Sequence, residues 1–159
     1  MDDATFEHLL TALAESLTRV EAAARSVPGD RWDEVIHTGD GAWTRRQLLA
    51  HMAANDLRQL IRVRIGAGTA EPGDAAAHEA ELAVDEWNRA RVGERAGRSL
   101  EALIAEMRAN RATLIALLRA LDPAQRDRPM PYRGVPTPLA EMVPSVIGHL
   151  DQHARELWG

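Results

Sequence analysis

The sequence predicts an all-α fold in one domain spanning 1–159, and three observations carry that prediction. Aromatic residues make up only 4% of the chain, and its apolar side chains are mostly alanine and leucine, which favour helices, whereas β-branched and aromatic residues fill strands. Four segments repeat their apolar positions at steps of three or four, the period of one helix face. A length of 159 residues suffices for one packed core and is too short for two.

The first helix is carried by Phe6, Leu9, Leu10, Leu13, Leu17, Val20 and Ala24 and should end near Val27-Pro28-Gly29. The second opens at Trp43-Thr44-Arg45-Arg46-Gln47-Leu48. There Thr44 can cap the Gln47 amide, Gln47 can reach back, and Trp43 can staple onto Leu48. It is expected to run to Gly66. From Ala67 to Gly97 a Gly-, Pro- and Ala-rich crossover contains one shorter helical pattern, with Ala76, Ala80, Ala83, Val84 and Trp87 on one side. Ser99 then caps a third long helix in which Leu100, Met107, Leu114 and Leu121 recur at seven, with Leu103 and Leu117 between them, until Asp122-Pro123 stops it.

A Pro-rich loop through Met130, Pro131, Tyr132 and Pro136 leads to Thr137-Pro138, a cap and first-turn pair for a last helix ending at Trp158. Pro144 either lies inside that helix or marks its start. A helix of about 22 residues is about 33 Å long. The crossover of roughly 30 residues can return along such a helix, so the second and third helices can run parallel.

Composition excludes several function classes. There is no cysteine, so disulfides, thiolate metal sites and a cysteine nucleophile are ruled out, and any thiol must come from outside the chain. Every basic residue is arginine and the formal charge is -5, which repels nucleic acid. The segment Met1 to Glu7 carries two aspartates where a secretory signal would be basic, and no apolar run approaches the roughly 20 residues of a membrane span. A cytoplasmic protein with neither nucleic-acid nor membrane partners is expected.

Six histidines remain to be sorted. His149 and His153 stand at i and i+4 in Gly148-His149-Leu150-Asp151-Gln152-His153, one turn apart on one helix face, where two imidazoles can chelate one ion. His51, in the core-like run Leu48-Leu49-Ala50-His51-Met52-Ala53, is the best-placed third ligand. The plain alternative is a solvated surface pair and a satisfied core histidine. This is not a metalloprotease helix, since Leu150 stands where His-Glu-x-x-His needs glutamate. His8, His37 and His78 read as solvated, on a helix flank, in a polar loop and in the crossover.

Trp43 to Ala53, the stretch Trp87-Asn88-Arg89-Ala90-Arg91 and the terminal His149-x-x-x-His153 together resemble the DinB-like superfamily, close to the amino-terminal metal-binding domain of mycothiol-dependent maleylpyruvate isomerases. The resemblance covers nearly the whole chain. It implies a four-helix bundle with up-down-down-up topology and a long helical crossover between helices 2 and 3. It also implies a divalent metal on His51, His149 and His153. Two departures stand beside it. The isomerases carry a further carboxy-terminal domain that helps to form the site, whereas this sequence stops at Gly159. Sulfoxide synthases of thiohistidine biosynthesis have a similar domain with His-x-x-x-His-x-Glu, but here Arg155 takes the glutamate position and Glu156 comes one residue late.

Three neutral imidazoles leave at least one coordination position open, as in a catalytic site, and nitrogen ligands suit zinc, nickel and iron alike. An ion so held lowers the pKa of a bound thiol or water. The resemblance implies the thiol version, an S-transferase or isomerase that joins a low-molecular-weight thiol such as mycothiol to an electrophile in detoxification or stress. The alternatives are a metal-dependent hydrolase and a non-catalytic metal- or ligand-binding bundle acting as a homodimer.

Beyond His51 the same stripe continues through Asn55 and Arg58 to Arg62, where arginines can hold substrate carboxylates; for Arg62 a solvated edge is the favoured reading. Asn110 falls in the apolar seam of the third helix and either lines the cavity or sets register. Asp56 and Asp151 are candidate partners for an imidazole N–H, more simply read as exposed carboxylates. Trp32, Trp43 and Trp158 read as core and staple residues near helix ends, and Trp87 as a lid over the site.

Overall fold

Four helices begin where the sequence supplies a side-chain oxygen for their unpaired first-turn amides. Asp2 accepts from the Thr5 amide at 2.8 Å and opens α1 (Asp3–Ser26). Thr44 and Gln47 form the reciprocal box, at 3.2 and 2.9 Å, that opens α2 (Arg45–Ala67). Ser99 caps α5 (Leu100–Ala120) through the Ala102 amide. Asp122 does not only stop α5: with Gln125 it boxes the short α6 (Pro123–Arg126). The last helix, α7 (Leu139–Trp158), starts on the Pro138 carbonyl, which accepts from the Glu141 and Met142 amides. Thr137 is therefore not its cap, and Pro144 lies inside it.

The computed structural model describes residues 2–37, 42–80, 83–132 and 134–158. Its helices and only very short strands make an all-α protein. Those strands are two antiparallel ribbons, β1 (Val35–His37) with β2 (Trp43–Thr44), and β3 (Met130–Tyr132) with β4 (Val135–Thr137). The second ribbon replaces the expected Pro-rich loop. The crossover holds two helices instead of one, α3 (Asp74–Ala80) and α4 (Val84–Gly93). Ala76, Ala83 and Val84 are exposed and the Ala80 side chain lies outside the described residues, so the single apolar side is corrected to an anchor on Trp87, which is 5% exposed. Arg64 grips Asp74 through two bonds, at 2.8 and 2.7 Å, and ties α3 to α2.

The long helices share one core of leucine, valine, alanine and methionine side chains. On α1 the buried apolar positions are Phe6, Leu10, Leu13, Leu17, Val20 and Ala24, the predicted stripe, with Leu9 at its edge. Glu7 pairs with Arg119, Glu21 with Arg108 and Arg25 with Glu101, so α1 and α5 run antiparallel. Arg45 donates to the Leu157 carbonyl while Asn55 meets His149, so α2 and α7 are antiparallel too. That arrangement turns the middle of α2 toward the last three turns of α7. Trp32 joins the core, but Trp158 is 64% exposed, because it ends α7 on the outer side. Among the described residues no helix is long and apolar enough to cross a membrane.

Candidate metal centre

The capping box fixes where α2 starts and hence which way His51 points, two turns later. Trp43, in the β2 ribbon just before the box, lies against the His51 ring at a centroid distance of 4.7 Å. From α7, His149 and His153 come from successive turns of one face. Their Nε2 atoms are 3.0 Å apart, and the His51 ring stands edge-on to both, at 5.5 and 5.2 Å. One ligand nitrogen from each of the three lies within 4.8 Å of the others. His51 and His153 are buried and His149 half-buried, so the solvated-pair reading does not hold.

The donor set is chemically suited to a divalent first-row ion, since three imidazole nitrogens converge and, among the described residues, no carboxylate shares the cluster. The Glu156 side of the cluster fits as well. His153 meets Glu156 through Nδ1 at 2.6 Å, which turns Nε2 toward the cluster, and Gln152 donates to the other Glu156 oxygen at 2.9 Å. Asn55 reaches Nδ1 of His149 at 3.4 Å.

Farther along α2, Gln59 donates to Asn55 at 3.0 Å and Arg62 donates to Gln59 at 3.2 Å. The Arg62 guanidinium also lies over the Tyr132 ring at 4.8 Å, and Arg58 lies over Trp87 at 4.7 Å. Arg62 is 2% exposed and is no solvated edge. The structure thus brings His51, His149, His153 and Asn55 together and sets Arg58 and Arg62 on the next turns.

Other expectations fare differently. Asn110 is half-buried on α5, and the residue that turns inward there is its neighbour Arg111, whose guanidinium meets Asp56 at 2.6 Å. Asp56 is buried, not exposed, and serves that pair instead of an imidazole; burial pushes its carboxyl above the ordinary value, against the pull of Arg111. Asp151 pairs with Arg19 on the opposite face of α7, beside a surface groove that includes Ser26, Arg155 and Trp158. His8 is exposed and His78 half-buried; His37 ends β1, not a loop, and its side chain lies outside the described residues.

Sequence reasoning missed Gln59, Arg111, the buried Arg45 and the role of Glu156. A usable signal existed for two of them. Gln59 is four residues after Asn55, and Glu156 three after His153, the spacings at which helical side chains touch.

Long helices around one core, with three imidazoles converging from two of them, define an all-α protein with a histidine site able to hold a divalent ion. The chain belongs to the DinB superfamily, whose family model matches residues 4–157. No curated protein and no solved structure gives a significant match.

Proposed function

We propose that this protein binds a divalent metal through His51, His149 and His153 and uses it as a thiol S-transferase or isomerase of the mycothiol-dependent kind. The convergence of three ring nitrogens within 4.8 Å carries the reading. When bound, such an ion supplies Lewis acidity and makes a thiol nucleophilic near neutral pH. The thiol is a small exogenous molecule, because the chain has no cysteine of its own.

The chain's residues divide the remaining work. His51, His149 and His153 offer uncharged nitrogens, so none of the ion's charge is cancelled by its ligands. Glu156 orients the His153 ring with Nε2 toward the ion, and Asn55 contacts Nδ1 of His149. Arg58 and Arg62, on the turns beyond Asn55, supply positive charge for a carboxylate-bearing electrophile, and Trp87 and Tyr132 stack beneath them. The cell compartment that fits this chemistry is the cytoplasm, where small thiols are kept reduced.

Elemental analysis of protein purified without a nickel column tests the metal: the wild type should carry near-stoichiometric zinc, nickel or iron, and His149→Ala should lose it. Equal, sub-stoichiometric metal in both proteins overturns the site. A screen of mycothiol, bacillithiol and glutathione against carboxylate-bearing electrophiles then tests the chemistry. No turnover with any of them would favour a non-catalytic metal-binding protein.

A further inference from the structure

Five hydrogen bonds join Arg62, Gln59, Asn55, His149, His153 and Glu156 into one chain, with donor-to-acceptor separations of 3.2, 3.0, 3.4, 3.0 and 2.6 Å. The chemistry of its two ends decides its direction. A guanidinium only donates, and a carboxylate only accepts. From the first end, Gln59 must turn its oxygen to Arg62 and its amide to Asn55, so Asn55 turns its amide to His149, whose Nδ1 must then accept. From the other end, His153 must carry its proton on Nδ1 to meet Glu156, which leaves Nε2 as an acceptor. The proton shared across the 3.0 Å contact between the two Nε2 atoms therefore belongs to His149. Both ends assign the same tautomers.

That assignment treats the two α7 histidines unequally. His153 already presents the Nε2 lone pair that a metal requires. His149 carries a proton on the nitrogen that faces the cluster. To ligate an ion through Nε2 it must move that proton to Nδ1, where it confronts the Asn55 amide. Rotating Asn55 to offer its oxygen turns its amide onto Gln59. Rotating Gln59 in turn points an amide at Arg62, which has no acceptor to give.

We propose that Asn55, held by Gln59 and Arg62, is a positioning residue that sets the tautomer of His149 and through it the affinity of the histidine site for a divalent ion. The inference rests on the metal reading above and adds to it a built-in opposition. Glu156 prepares one ligand for the ion, while the amide relay holds the other in the wrong tautomer. Loading the site therefore has to break or reverse the relay at one of its links.

The test uses the full chain, treated with chelator and titrated with zinc. Nitrogen-15 spectra of the histidine rings should show His149 protonated at Nε2 before zinc is added and at Nδ1 afterwards. Gln59→Met removes the amide that links Arg62 to Asn55 without changing charge, and should tighten zinc binding by about 10-fold or more, within the range that ligand-orienting partners command. Thermal unfolding checks that the variant folds, and if it does not, the wild-type spectra decide alone.

Protonation at Nδ1 of His149 before zinc, or equal or weaker zinc binding by a folded Gln59→Met protein, overturns the proposal and leaves the metal reading standing. Failure of wild type and variant alike to bind zinc, nickel or iron overturns the metal reading and the proposal with it.

Discussion

Glu156 carries the cleanest single-residue argument in the site. It holds His153 by one oxygen and is itself held by Gln152 on the other, so its place is determined from two sides within one turn of α7. That contact orients the imidazole and sets which ring nitrogen it presents to an ion. Glu156→Gln keeps an acceptor for Nδ1 and deletes the charge, and should weaken zinc binding by about 10- to 100-fold in a competition titration with a chromophoric chelator. Unchanged affinity would reduce Glu156 to a surface partner.

At this scale the histidine pair was legible, because a spacing of four on a helix is a geometric statement. The role of Glu156 was not, because comparison with a related motif drew attention to Arg155, one position earlier. Asn110 and Arg111 show the same slip. A heptad count puts Asn110 in the seam, and the habit of placing arginine outside hides the fact that Arg111 is 2% exposed.

Among the elements, α2 is the one on which everything converges. Its start was legible from Thr44 and Gln47, and its end is set by Gly68, whose positive φ of 77° closes the helix in the left-handed conformation that favours glycine. The β3–β4 ribbon was not legible. Pro131 and Pro136 face each other across it, and a two-stranded ribbon, each strand of which has one edge outside the ladder, tolerates residues that have no amide hydrogen.

That ribbon is nevertheless what brings Tyr132 under Arg62 and presses Met130 onto α2. A Cβ at Gly66 would lie 1.9 Å from the Met130 sulfur, and Met130 is fully buried, with little room to yield. Gly66→Ala should therefore destabilise the protein by about 1–3 kcal/mol, despite alanine's better helix propensity, and thermal denaturation would read it. Met130→Ala opens a cavity of its own, and the double variant should lose less than the sum of the two single losses. A cycle in which the two changes simply add would mean that the contact does not govern the helix.

For the molecule as a whole, the organising feature is the buried Arg111 guanidinium. Arg111 of α5 meets Asp56 of α2 at 2.6 Å and the Ser16 hydroxyl of α1 at 2.9 Å, and also donates to the Leu13 carbonyl, so one guanidinium ties three long helices. The pair is incompletely satisfied, with Asp56 Oδ2 and Arg111 Nε lacking hydrogen-bond partners among the described residues. Removing one member strands the other charge, so Asp56→Leu or Arg111→Met alone should cost about 3–5 kcal/mol, whereas the double change should come out near neutral or stabilising.

The pH dependence supplies an independent sign. Burial raises the Asp56 carboxyl above its ordinary value of 3.8, and the nearby Arg111 does not fully offset this. A raised folded-state value means that the native protein holds this proton more tightly than the unfolded chain. The contribution is thus complete below 3.8 and is lost as pH rises through the folded value. The unfolding free energy of the wild type, measured in urea against that of the Asp56→Leu/Arg111→Met protein, should accordingly drift against the wild type as pH increases from about 4. A difference that stays flat or drifts the other way would show that Arg111 outweighs burial, and that the pair stabilises the packing of the three helices instead of only specifying it.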